Sequence, residues 1–220
     1  MIKLYVFLDA APGADPFRYR GAAALSELHR TAPTAVEYVQ TRTFDRQLSD
    51  DPPPFAGVAE LRFDYAAPAV DAAANVARLA GLWADGVRAA GVVVGHERTI
   101  MRLPGHVHGQ GVKGVFPFDR KPGLGIDYFQ TYWWRTHGPI AARTEQALAY
   151  FQCHPLRHLY DDGAPAFDGV TELHWPDFAT AEAAMASRQM REDQSQDARN
   201  FADPDSVRLF LAAEEVVQPQ

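Results

Sequence analysis

The sequence predicts an α+β fold, with two ferredoxin-like βαββαβ repeats fused in one chain and packed sheet to sheet as an α+β barrel. Two observations predict it. Short stretches of sequence recur in the same order in both halves, and each half has the same succession of strand-like and helix-like segments. We expect the repeats to occupy residues 1–104 and 110–220.

The recurrence rests on three blocks. Residues 55–63 (FAGVAELRF) and 167–175 (FDGVTELHW) share Phe, Gly, Val, Glu and Leu, and both end in an aromatic residue. At the same spacing, Tyr38-Val-Gln40 recurs as Tyr150-Phe-Gln152. The third block pairs Lys3, Asp9, Pro12 and Gly13 with Lys113, Asp119, Pro122 and Gly123. Three matches in one order indicate a duplicated unit.

Each half gives the order strand, helix, strand, strand, helix, strand. In the first half, apolar and β-branched runs predict strands at 2–8, 34–44, 57–63 and 91–103, and alanine-rich segments predict helices at 16–30 and 69–80. The second half gives strands at 112–118, 150–160, 170–175 and 206–217, with helices at 127–137 and 178–190. Residues 104–111 are the expected junction, and the polar stretch 191–204 predicts a loop or a frayed helix.

Composition excludes several classes of protein. A chain of 220 residues with 47% hydrophobic and 22% charged residues is typical of a folded soluble protein. A net charge of -7 without a basic cluster argues against nucleic acid as a partner, and the apolar start at residues 2–8 is too short for a membrane span. The lone Cys153 excludes an internal disulfide and is expected in the core. We expect a cytoplasmic protein that is a monomer or a homodimer.

One helix carries the most informative motif. Phe129, Trp133 and His137 are spaced four residues apart, so they share one helical face. Asp127 is the expected N-cap, and Gly138-Pro139 is expected to end or kink the helix at His137. A histidine at this point would lie beside large apolar rings.

The pattern Phe129-x-x-Tyr132-Trp133-x-x-x-His137-Gly138-Pro139, after Lys121-Pro122-Gly123, resembles the EthD-type branch of the dimeric α+β barrel superfamily. The first half departs from it, because residues 28–33 (LHRTAP) lack both tryptophans and a Gly-Pro pair after the histidine. The resemblance implies a small cofactorless enzyme that acts on hydrophobic, often aromatic or polyketide-like substrates. Cyclases, dehydratases, isomerases, decarboxylases and some monooxygenases belong to this group.

Four residues are candidates for proton transfer. We expect His137 to be the principal general acid or base, because histidine titrates near neutral pH. Alternation on the strand at 150 puts Tyr150, Gln152 and His154 on one face. On the following strand Glu172 and His174 share a face, and they could face His154 if the two strands lie side by side. His154, His174 and Glu172 therefore form a second candidate group.

The expected substrate is a small hydrophobic molecule. Tyr128, Trp133, Trp134 and Tyr150 are expected to line its pocket, and the Tyr150 phenol could donate to a developing enolate oxygen. The predicted function is a cofactor-independent lyase or isomerase that dehydrates, cyclises or moves a proton in a carbonyl compound, with no metal and no cofactor.

Alternatives remain open from the sequence. His154, His174 and Glu172 would also suit a metal-dependent enzyme, and His106-Val-His108 is a weak signal for a metal pair. A non-catalytic ligand-binding or stress-response module would use the same pocket without turnover. Purely structural roles would explain His137 as a helix cap and Glu172, which recurs as Glu60, as part of both repeats.

Overall fold

A computed structural model describes residues 1–161, 163 and 165–217, and within these residues eight antiparallel strands form a closed barrel with six α-helices outside it. The strands are β1 (Ile2–Asp9), β2 (Glu37–Thr43), β3 (Gly57–Phe63), β4 (Arg88–Arg102), β5 (Val112–Phe118), β6 (Ala149–Pro155), β7 (Gly169–Trp175) and β8 (Phe210–Val217). The predicted α+β barrel is confirmed.

The helices are α1 (Gly21–Thr31), α2 (Ala66–Ala74), α3 (Ile126–Tyr132), α4 (Gly138–Ala141), α5 (Phe178–Ala186) and α6 (Ser195–Ala198). Two π-helical turns, Trp133–His137 and Gln189–Gln194, join α3 to α4 and precede α6. Short 3₁₀ segments lie at Val76–Leu82, Arg157–Tyr160 and Pro204–Ser206. Within the described ranges, every helix is too short or too polar to cross a membrane.

The strand order around the barrel is β1-β3-β2-β8-β5-β7-β6-β4, and β4 closes the barrel on β1. The four strands of each half are therefore neighbours, in the orders β4-β1-β3-β2 and β6-β7-β5-β8. Only two strand pairs, β2 with β8 and β4 with β6, join the halves within the described chain. Because both sheet edges are paired, the barrel leaves no open edge among its eight strands.

The register assigns each side chain to the barrel interior or to the helix-covered outer face. Tyr150 pairs with Leu173, and Phe151 pairs with Glu172. Tyr150, Gln152 and His154 share one face, as predicted, and this is the outer face, whereas Glu172 and His174 lie inside the barrel. Helices cover the outer face of both halves.

The motif helix does not end at His137, so that part of the prediction was wrong; the α-helix is instead interrupted there by the π turn at Trp133–His137. The chain passes through the π turn into α4, where the Gly138 N–H bonds to the Trp133 carbonyl. Pro139 has no N–H, but it lies in the first turn of α4, where the wider turn already interrupts the α-helical hydrogen bonds. Asp127 is not the N-cap; Gly125 holds that position and Asp127 lies in the first turn.

The polar stretch after residue 190 is more ordered than expected. The helix predicted over 178–190 ends at Ala186, and residues 189–206 form the second π turn, α6 and a 3₁₀ segment. Phe201 and Ala202 are buried against Phe118, Phe129 and Trp133. This segment therefore packs over the motif helix instead of extending into solvent.

Candidate functional site

A cavity of about 310 Å³ lies on the outer face of the second half, between the sheet and the helices that cover it. Its volume is at the lower end of the range for small-molecule sites. Most of the lining is apolar, and the polar members are few. The lining residues are Phe116, Phe118, Trp133, His137, Ala141, Tyr150, Thr171, Leu173, Met185, Met190, Arg191, Gln194, Ser195, Ala198, Phe201, Ala202, Val207 and Leu209.

His137 lines this cavity and is paired with a carboxylate. Its Nδ1 lies 2.8 Å from Oδ2 of Asp197, on α6. Because a carboxylate can only accept, the imidazole Nδ1 carries the hydrogen, and Nε2 of the neutral ring has the lone pair. Burial lowers the pKa of His137 below its usual 6.5, and the Asp197 carboxylate partly opposes that effect. The ring is therefore a neutral base at pH 7.

A second set of contacts fixes the carboxylate. The Tyr132 hydroxyl donates to Oδ1 of Asp197 at 2.8 Å, and the Asn200 amide donates to the Tyr132 oxygen at 3.1 Å. Phe201 covers the imidazole, with ring centroids 4.7 Å apart. His137 and Tyr132 thus hold the two oxygens of one carboxylate, so the orientation of the imidazole is defined from two sides.

Beneath the π turn, a polar ladder runs along β6. The Gln152 amide donates to the Trp133 carbonyl at 3.1 Å and to the Tyr150 oxygen at 2.6 Å. Its own oxygen accepts from Nε2 of His154 at 3.0 Å. Burial raises the pKa of Tyr150 to about 12, so the phenol stays protonated at neutral pH. Tyr150 can therefore donate its hydrogen to a bound molecule.

His154 supports this ladder and does not line the cavity. Its ring packs against Trp133 at a tilt of 32° with centroids 4.3 Å apart, and burial lowers its pKa to about 3. The His154 ring is therefore neutral, and its Nε2 hydrogen is the one donated to Gln152. The geometry puts His154 behind the pocket wall.

Two of the four predicted pocket residues lie elsewhere. Trp133 and Tyr150 line the cavity, whereas Tyr128 is mostly exposed and Trp134 is half-buried and in contact with the guanidinium groups of Arg98 and Arg135. Helical geometry explains the difference, because Trp134 is one position beyond Trp133 and points about 100° away from it.

Glu172 and His174 lie inside the barrel, on the opposite face of the sheet from His137 and His154. The prediction that these residues could face His154 was wrong. β6 and β7 do lie side by side, but their register pairs Phe151 with Glu172. Glu172 therefore lies on the same face as Phe151, and His154 lies on the opposite face. The sheet itself therefore separates the two groups.

Glu172 belongs to a buried charge cluster instead of a histidine pair. Its Oε1 receives Lys3 Nζ at 2.7 Å, Lys113 Nζ at 2.8 Å and the Tyr5 hydroxyl at 2.9 Å. Glu60 also binds both lysines, at 2.8 Å and 2.6 Å. Burial by itself would raise the pKa of Glu172, but the two ammonium groups hold that pKa well below its usual value. These contacts favour the structural interpretation of Glu172.

This charge cluster explains two of the sequence matches. Lys3 and Lys113 belong to one recurring block, and Glu60 and Glu172 belong to another. The barrel brings all four together, so each lysine bridges the carboxylates of both halves. Burying a lysine is tolerated only with such partners, since an unpaired buried charge costs several kcal/mol.

Sequence reasoning missed Asp197. It lies 60 positions from His137, in a polar stretch for which the sequence predicts only a loop or a frayed helix. One signal was available: the polar run contains Phe201 and Ala202, which a solvated loop does not need. That signal indicates that the segment packs, but not against which residue.

Comparison with known proteins agrees with this architecture. Residues 121–205 match the model of the EthD domain family, which confirms the resemblance drawn from the motif helix. An EthD family protein from Bacillus halodurans is 18% identical over 46% of this chain and 94% of its own, with a TM-score of 0.38. No curated protein sequence matches the chain.

Several solved structures resemble nearly the whole chain. An anthrone oxidase-like protein is 12% identical and covers 98% of this chain and 92% of its own, with a TM-score of 0.57. A mutant chlorite dismutase from Candidatus Nitrospira defluvii is 10% identical and covers 96% and 91%, with a TM-score of 0.55. At such identities the likeness shows the fold alone.

Proposed function

We propose, from the EthD domain at residues 121–205, that this protein is an enzyme that moves a proton in a small hydrophobic carbonyl compound. The reaction class is a cofactor-independent lyase or isomerase step: dehydration, cyclisation or proton shift. His137 is the general acid and base. One observation carries the proposal, namely a histidine in an apolar cavity with its Nδ1 bound to a carboxylate 2.8 Å away.

The pairing suits proton abstraction. Asp197 holds the imidazole in the tautomer whose Nε2 can accept a proton, and its charge stabilises the imidazolium that results. The lowered pKa keeps His137 neutral at pH 7 before reaction. Once protonated, the same Nε2 can return the proton to another atom of the substrate, as an isomerase or a dehydratase requires.

The lining indicates the class of substrate. Phe116, Phe118 and Trp133 offer flat apolar surfaces, which favour an aromatic or polyketide-like ring. Tyr150 supplies a phenol that remains protonated and can donate to an oxygen on which charge develops. The Thr171 hydroxyl is a further polar group at the same wall.

The organisation of the chain supports a division of labour. We interpret residues 1–104 and 110–220 as a tandem fusion of ferredoxin-like repeats, in which the second carries the site. The matched lysines and glutamates at the barrel centre and the equal strand order of the halves support this view. The first half completes the barrel.

Proton abstraction can be tested before the natural substrate is identified. A panel of aromatic and polyketide-like ketones is incubated with the protein in D2O, and deuterium incorporation next to the carbonyl is measured by mass spectrometry. We expect the wild-type protein to exchange at least one member. His137→Gln should slow that exchange at least about 100-fold, because a general base contributes roughly 10²–10⁴ in rate.

His29→Gln is the matched control, because His29 lies exposed on α1, the first-half counterpart of the motif helix. This variant should exchange at the wild-type rate. Equal exchange in folded His137→Gln would reject the assignment of the base. Ligand binding without exchange of any compound would instead favour a carrier protein.

A further inference from the structure

Three histidines meet at one end of the barrel, on the opposite face of the sheet from His137. His106 and His108 come from the segment between β4 and β5, and His174 projects inward from β7. The centroid of the His106 ring lies 4.7 Å from that of His108 and 4.6 Å from that of His174. Their donor nitrogens all lie within 4.8 Å of one another.

Five of the six nitrogens of these rings are buried and lack a hydrogen-bond partner among the described residues. Both nitrogens of His106, both of His174 and Nδ1 of His108 are buried without one. His174 is 1% exposed and His106 is 4% exposed. A buried polar group without a partner costs about 1–3 kcal/mol, so five such nitrogens in one place point to a ligand that they bind together.

A carboxylate completes the group. Oε2 of Glu214, on β8, lies 3.5 Å from Nδ1 of His108 and 3.8 Å from Nδ1 of His174. The Gly109 N–H donates to the same oxygen at 3.1 Å, and Lys113 binds the other oxygen at 3.0 Å. Phe151 closes the apolar side, with its ring centroid 5.6 Å from that of His174.

The opposite half shows what occupies the matching position. Arg62 is the repeat counterpart of His174, and its guanidinium binds both oxygens of Glu97 at 3.2 Å and 3.0 Å. Glu97 and Glu214 also occupy equivalent positions. Lys3 pairs with Gly95 on β4 and Lys113 pairs with Ala212 on β8, and each glutamate comes two residues after that paired residue. At the second-half end, the arginine is replaced by neutral imidazoles.

We propose that His106, His108 and His174 bind one divalent transition-metal ion, with Glu214 as the fourth ligand. Imidazole nitrogens with one carboxylate suit Zn²⁺ and its neighbours, and the ion supplies the positive charge that Arg62 supplies at the other half. In a tetrahedral Zn²⁺ site two ligand nitrogens lie about 3.3–3.4 Å apart, so the three rings would move closer together by up to about 1.5 Å when the ion binds.

The ligands are prepared for the ion. Burial lowers the pKa of His106 to about 4 and that of His174 to about 3, so both rings are neutral at pH 7 and no proton must leave on binding. The bound ion would hold the segment between β4 and β5, which links the two halves, against the wall of the barrel. The site lies on the other face of the sheet from the proposed catalytic cavity and does not depend on it.

Metal binding is tested with Co²⁺ as the probe. Untagged protein is dialysed against a chelator and titrated with Co²⁺, and the visible absorption of four-coordinate cobalt is recorded. We expect saturation at about one equivalent, and displacement by Zn²⁺. His108→Gln, which changes the partly exposed ligand at the rim, should weaken binding at least about tenfold, since even residues behind metal ligands contribute 10- to 100-fold.

Two control variants show whether the cobalt binds at the three histidines. His158→Gln removes an exposed histidine elsewhere, and His137→Gln removes the proposed catalytic base; both should bind Co²⁺ as the wild type does. A wild-type protein without saturable binding would overturn the proposal and leave ordered water as the partner of the imidazoles. Equal Co²⁺ binding by folded His108→Gln would also overturn the proposal, because it would show that the metal binds adventitiously at another place.

Discussion

The two halves of the chain place the same order of strands beneath different helices, and the space between helix and sheet differs accordingly. In the first half, Phe17, Leu28, Leu61 and Trp83 belong to one continuous buried cluster between α1 and the strands. In the second half, the corresponding space holds the cavity with His137 at its wall.

A shared device makes the contrast sharper. Gln40 donates to the Tyr19 carbonyl at 2.9 Å, and the matching Gln152 donates to the Trp133 carbonyl at 3.1 Å. In both halves a glutamine on the second strand therefore binds a carbonyl of the segment that covers it. The same sheet can support a filled interface or a hollow one, and the covering segments decide which is formed.

The largest expected effect tests whether the barrel centre is as symmetric as the repeat implies. Lys3→Met and Lys113→Met should each lower the free energy of unfolding by about 3–5 kcal/mol, because each removes one of the two ammonium groups that the buried carboxylates of Glu60 and Glu172 share. Urea unfolding at pH 7 measures the loss. Lys121→Met, at an exposed position, should change it by less than about 0.5 kcal/mol. A much smaller loss for one of the two buried lysines would show that the halves do not share the cluster equally.

The next effect is confined to the second half. Asp197→Asn should reduce the exchange activity roughly 100-fold, which corresponds to about 2.7 kcal/mol, because the imidazolium loses its charged partner. Asp193→Asn changes an exposed residue of the same segment and should leave the rate unaltered. Steady-state exchange rates of the two variants make the comparison. Full activity in Asp197→Asn would show that the carboxylate has only a structural role.

One substitution made in both halves distinguishes the filled interface from the hollow one. Ala24 on α1 is 1% exposed within the packed cluster, so Ala24→Leu should cost about 1–3 kcal/mol by overpacking. Ala141 on α4 lines the cavity, so the added atoms of Ala141→Leu enter free space. This variant should keep most of its stability and bind ketone ligands at least about tenfold more weakly. Thermal unfolding and ligand titration would report the two effects, and equal destabilisation would contradict the contrast.

The last effect concerns the loss of stability in acid. The folded-state pKa of His174 is about 3, below its usual 6.5, so the unfolded chain takes up the proton first as the pH falls. The contribution of His174 is complete above pH 6.5 and is lost between pH 6.5 and about 3, at about 1.4 kcal/mol per pH unit. In metal-free protein, His174→Gln should reduce the slope of stability against pH in this window by about one proton. An unchanged slope would show that the ring titrates normally.

Local patterns were sufficient for much of the fold. Alternation correctly put Tyr150, Gln152 and His154 on one face of a strand and Glu172 with His174 on one face of the next, because side-chain direction in a strand has a period of two. Part of the pocket followed from helical spacing, since Trp133 and His137 share a face of the motif helix and both line the cavity.

Other features depended on how distant segments meet. Which face of β7 becomes the interior is fixed by closure of the barrel, so the separation of His154 from His174 could not be read from either strand alone. The continuation of the helix past His137 depends on a π turn that Gln152 of a separate strand supports.

The sequence by itself determined the order of elements, the recurrence of Lys3 with Lys113 and of Glu60 with Glu172, and the helix that carries His137. Only the tertiary structure decided that those four charges meet, that Asp197 is the partner of His137, and that three histidines gather beside Glu214. The reason is physical. Periodicity and capping act over a few residues, whereas these contacts form only when barrel closure and helix packing bring separate segments within hydrogen-bond distance.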